Sequence, residues 1–276
     1  MHDINIAIVN WKMKNEIDKC LTTLYEDSAA SGLNIIIHIV DNSENIDGIK
    51  ELLNDKFFEV KYINPGGNIG FAKAQNLGLA AAEAKYYLSL NPDVEFIHGG
   101  RVFKKLVKFM EENPSAGIIG PKLLNSDNSI QESCYRFPSF FSQIARRLNL
   151  DKKLKFFKKE VDYYLMRDFD HNSTAMVDWL MGSFMLARRE LVEKIGFFDD
   201  RYFMYFEDCD WCRRAWLSGY KAYYLPDIIV KHLHKRESAA GSPFMAALTN
   251  PIARIHLKSW LQYFLKWGVK KIHYGR

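Results

Sequence analysis

Several protein classes are excluded by what the sequence lacks. Only four cysteines occur among the 276 residues, too few and too scattered for a disulfide scaffold. No apolar run reaches the roughly eighteen residues that a membrane-spanning helix needs. The N-terminus enters a strand-like run without a basic segment and a cleavage site, which predicts no secretory signal and a cytoplasmic location.

Acidic residues are missing from the C-terminal part of the chain. After Glu237 no aspartate or glutamate occurs, while lysines and arginines continue, interleaved with Trp260 and Phe264. A second basic stretch, residues 146–159, holds a single acid, Asp151. Because the net charge of the whole chain is only +5, this uneven placement predicts contact with an anionic surface, either phospholipid or nucleic acid.

The first half of the chain alternates strand-like and helical runs. The strand-like runs are residues 4–10, 35–40, 60–63 and 86–90, and the helical patterns are 16–30, 71–84 and 102–112. This alternation predicts an α/β fold with a mainly parallel central sheet flanked by helices. Ligands bind such sheets beyond the carboxyl ends of the strands, where Asp41, Asn68 and Asp93 stand. Residues 126–176 are less regular, and we interpret them as a loop-rich excursion over the site.

Two acids at predicted strand ends are candidates for nucleotide and metal binding. The carboxylate of Asp41 can accept a hydrogen bond from the imide of uracil or thymine, although an Asx-turn or a helix cap explains it equally. Asp93 follows Asn91 and Pro92 and offers an oxygen ligand for a cation that bridges phosphates. Taken alone, a proline-led turn is the simpler explanation for Asp93.

A glycine-rich loop, residues 64–78, opens into a predicted helix. Backbone N–H groups at a helix N-terminus suit a diphosphate or the sugar beside it. The loop matches neither the Walker A nor the dinucleotide-binding pattern. A turn before a tightly packed helix is the structural alternative, but the small residues along one helical face favour close approach of a ligand.

Three acids, Glu207, Asp208 and Asp210, follow an aromatic run at the start of a predicted helix. Acids in the first helical turn complement the helix dipole, which accounts for Asp210. An apolar wall beside a carboxylate also raises its pKa and makes it a better general base. The Cys209–Cys212 spacing in the same helix resembles a redox pair, but we expect these cysteines to be incidental helix residues.

Two histidines, His232 and His234, follow the last strand-like run and share one face. An isolated histidine is usually structural, whereas two together make a metal or phosphate role equally plausible.

In combination these segments resemble the family-2 inverting glycosyltransferases with a GT-A fold, especially bacterial rhamnosyltransferase-like members. The matching motifs, in chain order, are Val40-Asp41-Asn42, Asn68-x-Gly70-Phe71-Ala72-x-Ala74-x-Asn76-x-Gly78, Leu90-Asn91-Pro92-Asp93, residues 179–186, Phe203-Met204-Tyr205-Phe206-Glu207-Asp208-x-Asp210 and His232. The resemblance implies a glycosyltransferase domain over residues 1–240, with a nucleotide-sugar-binding half (1–125) and an acceptor and catalytic half (126–240). Residues 241–276 would form a basic, amphipathic, helical appendage.

The resemblance also implies a role for each matching residue. Asp208 would be the catalytic base. The donor would contact Asp41, Asn42, Asn68, Gly70, Phe71, Lys73, Asn76, Asn91 and Asp93. The acceptor and sugar pocket would be lined by Trp179, Met181, Gly182, Ser183 and Glu207. Asp93 and His232 would hold Mg²⁺ or Mn²⁺, although Asn91 replaces the first acid of the family's metal motif and lowers the charge of that site.

The implied reaction moves a sugar, best matched by L-rhamnose from dTDP-L-rhamnose, to a hydroxyl of a lipid-linked glycan in bacterial cell-surface polysaccharide synthesis such as that of O-antigen. The enzyme would act at the inner face of the cytoplasmic membrane. A stripe of Leu257, Trp260, Leu261 and Phe264 in the appendage could face anionic lipid, or pack on the domain instead.

Three alternatives remain open from the sequence. Another donor such as a UDP-hexose would use the same motifs. A nucleotidyltransferase would normally carry a glycine-rich basic signature near its N-terminus, which residues 4–13 lack. A nucleic-acid-binding protein would explain the basic tail but not the acids at the strand ends, which repel phosphate unless a metal intervenes. We therefore expect no nucleic-acid partner.

Overall fold

The structure is a computed structural model that describes residues 1–57, 59–233, 250–270 and 272–274, without the side chain of Arg147. His234, the second predicted histidine, lies outside the described residues. The strands are β1 (His2–Asn10), β2 (Ile35–Asp41), β3 (Lys61–Ile63), β4 (Ala84–Leu90), β5 (Val94–Phe96), β6 (Ala116–Leu124), β7 (Cys134–Tyr135), β8 (Ala175–Val177), β9 (Trp179–Leu180), β10 (Phe184–Arg188) and β11 (Lys221–His232). The helices are α1 (Lys14–Ala29), α2 (Ile49–Lys56), α3 (Phe71–Ala80), α4 (Val102–Glu112), α5 (Phe140–Arg147), α6 (Lys155–Tyr164), α7 (Arg189–Ile195), α8 (Glu207–Leu217) and α9 (Pro251–Trp267).

A nine-stranded sheet runs through the molecule in the order β3-β2-β1-β4-β10-β6-β11-β5, with β8 also paired to β11. Strands β3, β2, β1 and β4 are parallel, and so are β6 and β11. Strand β10 is antiparallel and lies between β4 and β6. A separate antiparallel pair joins β7 to β9. The predicted α/β class with a mainly parallel sheet flanked by helices is therefore confirmed.

Apolar side chains alternate along β1 and divide the core between the two faces of the sheet. Ile4, Ile6 and Ile8 are buried in one cluster, which also holds the apolar residues of α1. Ala7 points to the opposite cluster, which includes Trp211 of α8. Alternate strand residues point to opposite faces, so helices cover both sides of the sheet.

Several predicted boundaries change for structural reasons. The alanine-rich helix ends at Ala80 rather than residue 84, because Ala84 pairs with His2 in the sheet. The strand β11 continues through Pro226, and its register shifts between Leu225 and Ile229. Such a bulge accommodates a proline that cannot donate a ladder hydrogen bond. The predicted excursion at 126–176 contains the helices α5 and α6.

Helix α9 packs on the domain with one face and exposes the other. Trp260 and Phe264 are buried, and both rings contact Phe140 of α5. Leu257 and Leu261, predicted on the same stripe, are exposed. The predicted stripe is therefore divided between the core and the solvent. Among the residues that the structure describes, no helix combines the length and the apolar character that crossing a membrane requires.

Candidate active site

Asp208 lies in the first turn of α8, where two backbone N–H groups hold its carboxylate. The amide of Gly182 donates to Oδ2 at 2.9 Å and that of Cys209 to Oδ1 at 2.7 Å. A Cβ on Gly182 would lie 3.3 Å from both Cβ and Oδ2 of Asp208. A larger residue at position 182 would therefore crowd the carboxylate.

The surroundings of Asp208 suit a general base. Burial raises its pKa to about 6, although the bonds from Cys209 and Gly182 oppose the rise. The two residues before the helix, Tyr205 and Phe206, have φ values of 73° and 69°. Bulky residues are uncommon in this left-handed region and mark local strain that is frequent at functional sites. The side chain is ionised near neutral pH yet basic enough to accept a proton.

The acids on either side of Asp208 have different environments. Glu207 is buried, and its Oε2 has no hydrogen-bond partner in the described part of the chain. Burial, and then the charge of Asp208, raise the pKa of Glu207 well above its usual value, which favours the protonated form of its carboxyl group.

Asp210 is fully buried and anchors α9 to α8. Its carboxylate contacts Nε of Arg214 at 2.8 Å and Nζ of Lys266 at 2.6 Å. Nε1 of Trp267 donates to the same group at 2.8 Å. These three contacts commit Asp210 to a structural role.

Asp93 and His232 lie together where β5 pairs with the end of β11. Nε2 of His232 is 3.3 Å from Oδ1 of Asp93 and 3.3 Å from Nδ2 of Asn91. On the other side of the ring, Nδ1 lies 2.7 Å from Oε1 of the buried Gln131. A proton on Nδ1 would donate to Gln131 and leave the Nε2 lone pair on the side of Asp93.

This corner fits a divalent cation that is bound mainly through phosphate. In the described residues no three histidine, cysteine, aspartate or glutamate side chains converge on one point. Asp93 and His232 would therefore supply two ligands. Mg²⁺ is commonly held by one or two carboxylates together with substrate phosphates and water, so a nucleotide diphosphate would complete the coordination.

Asp41 is fully buried at the end of β2, and both of its oxygens accept hydrogen bonds. Oδ1 accepts from Nδ2 of Asn10 and from both the backbone and hydroxyl of Ser43, and Oδ2 accepts from the backbone of Asn45 and the hydroxyl of Tyr62. Burial alone would raise the pKa of Asp41, but these bonds outweigh it and lower the pKa. The carboxylate is ionised and organises the strand-end loop.

The glycine-rich loop is tied to the segment that precedes Asp208. Nδ2 of Asn42 donates to the carbonyl of Gly70 at 3.1 Å, and Oδ1 of Asn68 accepts from the amide of Gly70 at 3.0 Å. The amide of Phe71 donates to the carbonyl of Phe203 at 2.6 Å. Gly70 has a φ of 88°, and a Cβ there would lie 2.6 Å from the same carbonyl. Glycine is required, and the N–H group of Phe71 at the start of α3 is already engaged.

Other predicted donor and pocket residues face different parts of the molecule. The Asn76 side chain bonds the carbonyl and amide of Phe198 at 2.9 and 3.0 Å. Lys73 is exposed on α3. The ring of Trp179 is buried against Tyr135, with centroids 4.4 Å apart. Asn76 and Trp179 therefore support the walls of the site.

Residues 181–183 connect the Asn91–Asp93 turn to Asp208. The carbonyl of Ser183 accepts from the amide of Asn91 at 2.9 Å, and the next residue back, Gly182, donates to Asp208. Met181 is held in place through a 2.9 Å bond from its amide to the carbonyl of Ser133. The Asn91–Asp93 turn and the Asp208 carboxylate are therefore joined through two consecutive residues.

Sequence patterns did not identify three of the residues around this site. Asn10 ends β1 beside Asp41, and its position at a strand end could have marked it. Tyr62 lies in the middle of β3, and Gln131 lies in an irregular segment. Neither has a motif that would distinguish it before the fold is known.

Comparison with known protein families identifies the family to which the chain belongs. The model of Glycosyl transferase family 2 matches residues 5–213. The chain belongs to this family. It is therefore a glycosyltransferase, as the motifs predicted.

Two curated relatives are rhamnosyltransferases by name. The N-acetylglucosaminyl-diphospho-decaprenol L-rhamnosyltransferase of Mycobacterium tuberculosis is 27% identical over 251 residues, which cover 86% of this chain and 78% of that enzyme. The rhamnosyltransferase WbbL of Escherichia coli K12 is 27% identical over 273 residues, covering 95% of this chain and 93% of WbbL.

A solved structure of GalNAc-T7 with UDP, GalNAc and Mn²⁺ is similar in fold. It has a TM-score of 0.63 at 14% identity, covering 96% of this chain. The chain spans 48% of the length of that protein. The similarity confirms the predicted GT-A fold.

Proposed function

We propose that the protein is an inverting glycosyltransferase that moves L-rhamnose from dTDP-L-rhamnose to a hydroxyl of a lipid-linked glycan. The setting would be bacterial cell-surface polysaccharide synthesis, such as that of O-antigen, at the inner face of the cytoplasmic membrane. The names of the two rhamnosyltransferase relatives support rhamnose as the sugar, and the decaprenol-linked name of one supports the acceptor class.

One observation carries the proposal: the consecutive residues Gly182 and Ser183 join Asp208 to the strand-end turn of Asn91 and Asp93 through backbone hydrogen bonds, and we call this pair the 182–183 bridge. A direct displacement needs a base on one side of the anomeric carbon and a site for the departing diphosphate on the other. The bridge holds those two parts in a fixed relation, as a single displacement requires.

In the proposed reaction Asp208 accepts the proton of the acceptor hydroxyl while the hydroxyl oxygen attacks the anomeric carbon. The bond to the diphosphate breaks on the opposite face, so the configuration inverts. Burial favours the protonated form of Glu207. In that form Glu207 would keep a second negative charge away from Asp208 and donate a hydrogen bond in the sugar pocket, where Met181, Gly182 and Ser183 would form the adjoining wall. A divalent cation held by Asp93 and His232 would neutralise charge on the departing diphosphate.

The donor would lie between the two halves of the chain. The ionised Asp41 and the neighbouring Asn42 would be near the pyrimidine ring of the donor nucleotide. Asn68, Gly70, Phe71 and Lys73 would border the diphosphate and sugar. Residues 1–125 would supply most donor contacts. Residues 126–240 would supply the acceptor contacts and the catalytic base, and residues 241–276 would form an appended segment. Because Asp41 is buried, its proposed role is to organise the loop that would contact the pyrimidine ring.

The direct test is transfer with separate nucleotide sugars and extracted polyprenyl-diphosphate glycans as acceptors. We expect dTDP-L-rhamnose to be the best donor and NMR of the product to show an inverted anomeric centre. A UDP-hexose used in preference would replace the donor, and a product with retained configuration would overturn the mechanism. Release of pyrophosphate from a nucleoside triphosphate and a sugar phosphate would indicate a nucleotidyltransferase instead.

A further inference from the structure

Exposed apolar side chains are concentrated on α5, α6 and α9. Phe141 of α5 is 59% exposed and Phe156 of α6 is 68% exposed. On α9 and directly after it, Leu257, Leu261, Leu265 and Val269 are all exposed, with Leu265 at 85%. Because residues four apart lie on one helical face, Leu257, Leu261 and Leu265 form a continuous apolar row, and Val269 follows the helix end at Gly268.

These elements form one connected surface. Helix α5 packs against α6, and the ring of Phe140 in α5 lies 4.5 Å from that of Trp260 in α9. A groove of about 350 Å³ lies where the three elements meet, lined by Ser139, Phe140, Phe141, Phe156, Glu160 and Val269. We call the exposed apolar residues of this region, together with the groove, the apolar face.

Exposed lysines flank the residues of the apolar face in sequence, and we call them the lysine rim. Lys152, Lys153, Lys155 and Lys159 are exposed on α6 and in the turn before it, and Lys258 and Lys270 are exposed at the α9 side. Lys158 pairs with Asp162 at 2.6 Å. Long lysine side chains can lie along apolar surface while their ammonium groups reach polar headgroups. The arrangement matches interfacial segments that bind anionic lipid.

Charge argues against a second copy of the chain as the occupant. A two-fold dimer through this face would bring the same patch of each subunit together, so the lysine rim of one would meet the lysine rim of the other. An anionic surface removes that repulsion. Contiguous apolar patches are uncommon on monomeric soluble proteins and mark interaction sites.

The buried side of α9 contacts the segment that leads to Asp208. Oγ of Ser259 donates to the carbonyl of Met204 at 2.8 Å, and the ring of His256 lies 4.9 Å from that of Tyr205. The same helix therefore contributes to the apolar face and supports the residues next to the base.

We propose that the apolar face docks the enzyme on an anionic phospholipid bilayer, with Phe141, Phe156 and Leu265 inserted among the lipids and the lysine rim on the headgroups. The inference rests on the proposed function for its purpose, since a lipid-linked acceptor is presented at a membrane, but the docking itself depends only on the surface.

Co-sedimentation of the full chain with vesicles tests the docking. We expect binding to vesicles of phosphatidylethanolamine with phosphatidylglycerol, and about tenfold weaker binding to neutral phosphatidylcholine vesicles. The double variant Phe141→Ser/Phe156→Ser, and separately Lys152→Gln/Lys153→Gln/Lys155→Gln, should each lose about tenfold in binding to the anionic vesicles. Circular dichroism should show the wild-type fold, because all five side chains are exposed.

Matched controls lie elsewhere on the surface. Leu217 of α8 is 58% exposed and Lys104 of α4 is exposed, so Leu217→Ser and Lys104→Gln should bind vesicles like the wild type. Equal binding by the wild type and the two face variants would overturn the proposal. Sedimentation equilibrium without lipid is expected to show a monomer, and a dimer abolished by Phe141→Ser/Phe156→Ser would assign the face to a second copy instead.

Transfer to a water-soluble acceptor without the polyprenyl chain separates the two proposals. The face variants should transfer sugar to this acceptor at the wild-type rate while binding anionic vesicles about tenfold more weakly. Vesicle binding by a wild type that transfers no sugar would contradict the proposed function and leave the docking intact. Normal transfer by a wild type that binds no anionic vesicles would contradict the docking alone.

Discussion

Asp208 and Glu207 are neighbours in sequence, and burial raises the pKa of both carboxyl groups. Hydrogen bonds from the amides of Cys209 and Gly182 partly offset the effect of burial on the pKa of Asp208. By contrast, Oε2 of Glu207 has no hydrogen-bond partner in the described chain. The two carboxyl groups therefore differ in environment: backbone amides hold the Asp208 carboxylate, whereas burial and the charge of Asp208 favour the protonated form of Glu207.

The first residue-scale prediction concerns pH. If Asp208 must be deprotonated to act as the base, kcat/KM should be level above its pKa of about 6 and fall about tenfold per pH unit below it. A profile measured from pH 5 to 9 at fixed metal concentration checks this. Activity that stays constant between pH 7 and pH 5 would exclude Asp208 as the titrating base.

The second concerns the stability effect of Glu207. Its pKa in the folded state lies well above the ordinary value, which is about 4.3 in an unfolded chain. The folded state is thus favoured at low pH, and that advantage is lost as the pH rises through the folded pKa. Glu207→Gln removes the ionisable group, so its melting temperature should exceed that of the wild type by a few degrees at pH 8.

The difference between Glu207→Gln and the wild type should shrink at pH 5, which is closer to the ordinary pKa of a glutamate, because ionisation of the unfolded chain then favours unfolding less. Glu190 is exposed on α7, and Glu190→Gln serves as the control with no pH-dependent difference. Thermal unfolding at the two pH values measures the effect. A Glu207→Gln variant that is less stable than the wild type at pH 8 would mean that Glu207 is charged and paired.

At the scale of elements, Asp210 decides how α9 attaches to α8. Removing one partner of a buried ion pair costs about 3–5 kcal/mol, and Asp210 contacts both Arg214 and Lys266. We expect Asp210→Asn to lose roughly that amount of unfolding free energy in urea. Asp208→Asn is the matched control and should retain wild-type stability, because in the described part of the chain the Asp208 carboxylate is held by backbone amides and not by a cationic side chain. Equal stability of the two variants would refute the anchoring role.

The sequence predicted those elements whose periodicity is local and strong. Helix α4 begins and ends as predicted, and β1, β2 and β4 lie within two residues of their predicted bounds. Strand β6 contains Gly117, Gly120 and Pro121 and lacks the alternation that identifies a strand. The family resemblance predicted that Trp179 lines the pocket. In the structure the ring of Trp179 stacks on that of Tyr135. Side-chain direction within a short strand depends on contacts that sequence does not contain.

At the scale of the whole molecule, the decisive arrangement is the entry of β10 between β4 and β6. It brings Gly182 and Ser183 to the end of β4 and beside the start of α8. The motifs identified which residues belong to the site, and their order along the chain identified the family. Which of them touch one another depends on strand order, which local patterns do not specify. His232 and Gln131 meet for the same reason.

The measurement that tests the central claim most directly is transfer by Asp208→Asn, with donor affinity measured on the same preparation. Asparagine keeps the size of the side chain but cannot accept the proton, so we predict a loss of about 10²–10⁴-fold in kcat. Isothermal titration with dTDP and Mn²⁺ should give a dissociation constant within about twofold of the wild type, because the base is not a predicted donor ligand. Near-normal turnover by Asp208→Asn would contradict the account.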